Sequence, residues 1–105
     1  IVAGGSMRRF SFLESAGANS FLAGIGNLFP EIENKFIHGN SRIAALNIEA
    51  KMFDVFMKHG WHQSLREALK IMGLTCFHNR NPWPDPDDYF ISDITNIIHL
   101  MEIEI

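Results

Sequence analysis

A single cysteine, Cys76, stands among 105 residues. No intrachain disulfide can form, and a lone thiol suits a reducing compartment, which points to the cytoplasm. No run of about 18 apolar residues and no signal-like apolar core is present, so the sequence predicts neither a membrane span nor an export signal. Lys and Arg are missing altogether from residues 81–105, which carry Asp85, Asp87, Asp88, Asp93, Glu102 and Glu104. Removing that charge of −6 from the net −3 leaves +3 for residues 1–80, so the chain is electrostatically two-ended. Such asymmetry steers a charged partner toward one end.

What is present argues for a folded protein. Hydrophobic residues make up 47% and charged residues 20%, which is too apolar for intrinsic disorder. The length predicts one domain over residues 7–105. The Ile-Val-Ala-Gly-Gly-Ser tract before Met7 reads as an expression-tag remnant and is set aside.

Single glycines and one proline cluster divide the rest into helical segments. Asn19 or Ser20 is expected to cap a short helix presenting Phe21, Leu22, Ile25 and Leu28. Pro30 fits a first helical position, with Ile32, Phe36 and Ile37 apolar and Gly39 just past the end. Over residues 42–58 a helical wheel gathers Asn47, Lys51, Asp54 and Lys58 into one narrow polar stripe. Leu46, Ala50, Phe53 and Met57 lie on one side of it and Ile48, Met52 and Val55 on the other. This pattern predicts a helix covered on most of its circumference, within the monomer or in a homodimer through this central helix.

Gly60 should end that helix, and Ser64-Leu65-Arg66-Glu67 has the form of a capping box opening the next at Leu65. Gly73 should stop it. Ser92 is expected to cap a final helix with Ile94, Ile97, Ile98 and Met101 inward. Alternation at residues 8–12 and 100–105 suggests a short terminal β-strand pair. The predicted fold is therefore mainly α, a compact bundle of four to five short helices with that strand pair.

Few constellations carry chemistry. His59, His62, Cys76 and His78 could offer nitrogen and sulfur to zinc, but His-x₂-His and Cys-x-His do not match structural zinc spacing. Cys76 between apolar neighbours reads as a small buried hydrophobe rather than a nucleophile. Asp85, Asp87 and Asp88 lack the ligand spacing and terminal glutamate of an EF-hand loop. No catalytic residue, metal ligand or cofactor is expected. Ser64-Leu65 through Ala68-Leu69, Gly73 and Cys76-Phe77-His78 resembles the helix after the phosphate-binding loop of sulfotransferase-like proteins. Where that family carries a glycine, arginine and threonine turn, this chain reads Lys58-His59-Gly60-Trp61-His62-Gln63, so no site residue is carried over.

Scattered basic residues and a negative net charge argue against direct nucleic-acid binding, and no helix pairs a Lys-rich face with an apolar one as a membrane-surface helix would. The distinctive segment is residues 81–90, in which Trp83 and Tyr89 are of the types that dominate interfaces and Asp85, Asp87 and Asp88 can steer a basic partner. The sequence thus predicts a non-catalytic protein-binding domain, an inhibitor, immunity protein or adaptor, meeting a basic partner surface through Trp83, Asp85, Asp87, Asp88 and Tyr89. Two alternatives stand beside it: an accessory domain or fragment of a larger enzyme using the His/Cys group, and a nucleic-acid-associated regulator.

Overall fold

The computed structural model describes residues 1–39, 42–74 and 85–105. Among these the fold is mainly α, with five α-helices and a two-stranded parallel sheet. The order is β1 (Val2–Gly5), α1 (Met7–Leu13), β2 (Ser20–Ala23), α2 (Pro30–His38), α3 (Arg42–His59), α4 (Trp61–Ile71) and α5 (Asp88–Glu104). The chain folds as two compact units, Ile1–Glu49 and Ala50–Ile105.

In the first unit β1 pairs with β2 in the register Val2↔Ser20 to Gly5↔Ala23. Parallel strands need a long crossover, and residues 6–19 supply it through α1 and a following 3₁₀ turn. Two positions require glycine here: Gly5 (φ 116°) turns the chain into α1, and Gly17 (φ 106°) turns it back toward β2. Strand pairing therefore lies elsewhere than expected. The tract before Met7 forms a strand, while residues 8–12 and 100–104 are helical. Residues 20–23 are strand rather than helix, because β1, formed by the tract before Met7, offers them a ladder.

α1 is capped twice. The Ser6 hydroxyl accepts from Arg9 N–H at 3.0 Å, and Glu49, reaching from α3, accepts from Met7 N–H and Arg8 N–H at 3.0 and 3.1 Å. α2 begins at Pro30 and ends before Gly39 as its local signals predict, burying Ile32 and Phe36 but leaving Ile37 exposed. Phe36 packs edge-on to Phe21 at 5.5 Å and against Phe10 at 6.0 Å. The Arg42 guanidinium lies 4.6 Å from the Phe36 ring centroid while pairing with both Glu14 oxygens at 2.9 and 3.2 Å.

The second unit comprises the later part of α3 with α4 and α5. Met52 and Phe56, Ala68, and Phe90, Ile94, Ile97, Ile98 and Met101 are its buried apolar residues, so the inward face predicted for α5 is the observed one. α3 and α5 run antiparallel: Lys51 pairs with Glu104 near one end and Lys58 with Asp93 near the other. The polar stripe of α3 is exposed as predicted, and within a single chain the cover of the helix is narrower than a fully buried core helix would have. Ile43 is 71% and Met57 61% exposed, and Ala50 lies between them on the same open side.

α4 starts three residues before the predicted capping box, with Gly60 (φ 97°) as the breaking residue. Ser64 is fully buried and its hydroxyl donates to the Phe56 carbonyl at 3.0 Å. That carbonyl belongs to the last turn of α3, where four acceptors lack intrahelical donors. Ser64 thus ties two helices together instead of opening one. Ser64→Ala is expected to cost about 1–2 kcal/mol, because it leaves a buried carbonyl without its donor. A urea midpoint equal to that of the native protein would show the tie to be absent.

Candidate functional site

The second unit holds a cleft of about 320 Å³ between the end of α3, one face of α4 and the start of α5. Each wall follows from local sequence. Lys58 and His59 are the last two residues of α3, placed there because Gly60 stops the helix. Gln63 and Glu67 stand one turn apart on α4 and so share a face. Asp85 and Pro86 lead into α5, which Asp87 opens by accepting from Phe90 N–H at 2.8 Å. Tyr89 and Phe90 in its first turn complete the lining.

An ion-pair network borders the cleft. His59 Nε2 lies 2.8 Å from Asp93 Oδ2, and Lys58 Nζ lies 3.2 Å from the same oxygen. The hydrogen bond from His59, then that from Lys58, hold the Asp93 carboxyl below its ordinary range against the opposing effect of burial. Lys58 also donates to the Tyr89 hydroxyl and sits 4.7 Å from the Tyr89 ring centroid. Tyr89 first and Asp93 second push the lysine ammonium upward. His59 packs its ring against Tyr89 at 5.4 Å and Phe90 at 4.8 Å. Tyr89, although 57% exposed, is thereby gripped on two sides.

Of the five residues expected to meet a partner, Asp85, Asp87 and Tyr89 line this cleft and Asp88 is exposed beside it on the first turn of α5. Trp83 lies outside the described residues. Asp87 carries a structural duty as well, since it caps α5 five residues before the predicted Ser92. Of the described members of the His/Cys group, His59 lines the cleft and His62 is exposed; Cys76 and His78 lie outside the described residues. Among the described residues no three His, Cys, Asp or Glu side chains are arranged to hold a metal ion, and no helix is long and apolar enough to cross a membrane.

Lys58, Asp93 and Glu67 were missed as site residues. Tyr89 and Asp93 four apart on one helix, with adjacent Lys58 and His59 ending another, were the available signal. A second cleft of about 350 Å³ lies in the first unit, where Arg42 and Glu14 satisfy each other and Glu33 accepts from Gly26 N–H.

Comparison of the chain with family models, curated proteins and solved structures finds no match. The sulfotransferase-like resemblance carries no further. Residues 58–63, where that family's turn would stand, are the end of α3, Gly60 and the first turn of α4.

Proposed function

We propose that the protein is a small non-catalytic protein-binding domain of the inhibitor, immunity-protein or adaptor kind, meeting a basic partner surface with the cleft and the acidic first turn of α5. The observation that carries this reading is Tyr89. Its ring is exposed yet held by Lys58 and His59, so docking a partner on it costs little side-chain entropy. Tyrosine is a hot-spot residue type, and Asp85 and Asp88 flank it with charge suited to steering a basic surface.

The experiment is to place a photo-crosslinking phenylalanine analogue at Tyr89, identify the captured protein, and measure its affinity for defined variants. Tyr89→Ala is expected to weaken binding by about 30-fold, corresponding to roughly 2 kcal/mol, with an unchanged melting temperature. Asp85→Asn with Asp88→Asn should slow association at low salt, and the effect should fade as salt screens it. Native affinity in Tyr89→Ala would remove the proposal's support.

A second reading, an accessory domain of a larger enzyme, has one observation in its favour. The Asp93 carboxylate lies 2.8 Å from His59 Nε2 and orients the ring, as a carboxylate behind a general base would. A turnover lost in His59→Gln while partner binding is retained would move the assignment there.

A further inference from the structure

Glu67 sits near the middle of α4, is only 9% exposed, and lines the cleft. Among the described residues no donor or cation meets its carboxylate, although buried carboxylates are costly without one. The one lysine of the cleft is already engaged, by the Tyr89 hydroxyl and Asp93. Asp87 spends an oxygen on Phe90 N–H, while Asp85 is exposed and adds negative charge to the lining. The remaining wall is aromatic, with the His59 ring 4.8 Å from Phe90 and 5.4 Å from Tyr89 and inclined to both.

A group that satisfies this cleft is therefore cationic, planar and rich in donors. A guanidinium has those properties: it forks onto a carboxylate with two parallel hydrogen bonds, stacks on aromatic faces, and sheds water more readily than a compact ammonium. We propose that the cleft receives an arginine side chain of the protein partner, with Glu67 as its buried carboxylate acceptor. The inference rests on the protein-binding reading and deepens it: Asp85 draws the cation in, Glu67 holds it, and the aromatic wall selects arginine over lysine.

The test begins with the unmodified protein and three blocked amino acids, acetyl-arginine amide, acetyl-lysine amide and the neutral isostere acetyl-citrulline amide. Binding is followed by NMR at the Glu67 carboxyl and the Tyr89 ring. The arginine probe should give saturable shifts at both and bind about tenfold or more tightly than citrulline, as a charge-assisted contact demands. Glu67→Gln, nearly isosteric, should erase that preference, and Asp85→Asn should weaken the arginine probe at low salt only. Equal binding of arginine and citrulline overturns the proposal, as does an arginine preference surviving in folded Glu67→Gln. Lysine binding as tightly as arginine overturns the guanidinium assignment. With the crosslinked partner in hand the two readings separate. Loss of binding in Tyr89→Ala but not in Glu67→Gln sinks the arginine pocket alone, whereas loss in neither sinks both.

Discussion

Glu49→Ala is expected to destabilise the protein by about 3 kcal/mol, measured by urea unfolding. Glu49 is 2% exposed, and its two carboxylate oxygens take the N–H groups of Met7 and Arg8 at the start of α1. Truncation leaves these donors without their acceptor, the Met7 group buried and the Arg8 group partly so, and opens a cavity beside them. Either loss alone is worth about 1–3 kcal/mol. Glu49→Gln is the sharper probe, because its amide can accept only one of the two bonds and turns a donor toward the other N–H.

The glutamine variant also isolates a pH effect. Burial first of all raises the Glu49 carboxyl, against the lowering pull of the Met7 and Arg8 N–H groups and the Arg8 charge, while neighbouring Glu33 raises it further. A carboxyl raised on folding contributes stability that is present below its unfolded value and lost as pH rises through its folded one. Native stability should therefore fall across that interval, and the glutamine variant's deficit should shrink with it. Glu33, itself raised by burial, titrates in both proteins and largely cancels in the difference. A deficit constant from pH 4 to pH 7 would mean that Glu49 ionises without cost.

Elements bounded by short-range signals were legible in the sequence. Pro30 opens α2 through its absent N–H, Gly39 ends it where a Cβ would collide with the Lys35 carbonyl, and Gly60 and Gly73, both at positive φ, punctuate α4; each acts on the chain locally. The inward residues of α5 were legible from their helical spacing, but its start was not. Asp87 and Ser92 are both capping types, and Asp87 takes the role by bonding Phe90 N–H. Ser64 and Glu67 show the opposite failure. Their spacing is that of a capping box, yet packing buries both, one on the Phe56 carbonyl and the other in the cleft wall. Composition marked Asp85, Asp87 and Tyr89, which lie together in sequence. Lys58, His59 and Glu67 join them only through the packing of three helices, which no local pattern encodes.

Phe36→Ala is expected to be the most damaging single substitution in the first unit, costing about 4 kcal/mol. Phe36 is buried at the meeting of three elements, α1 through Phe10, β2 through Phe21 and α2 itself. Removing a buried phenylalanine loses its transfer free energy and leaves a cavity, together about 3–5 kcal/mol. Here two aromatic contacts and the Arg42 guanidinium above the ring go with it, each worth about 0.5–1.5 kcal/mol beyond area. Relaxation of the exposed Arg42–Glu14 pair into the vacancy offsets part of that sum. Phe36→Leu keeps most of the volume and should cost about a third as much. Urea melts by circular dichroism, with amide exchange in α2 as the local readout, would check both. The cluster also depends on Phe21 lying in a strand: a helix over residues 20–28, as local pattern alone suggested, would not depend on β1. Phe36→Ala should accordingly speed exchange of the β1–β2 ladder as well as α2. A loss below about 1 kcal/mol with unchanged exchange in β2 would mean that the three rings do not meet.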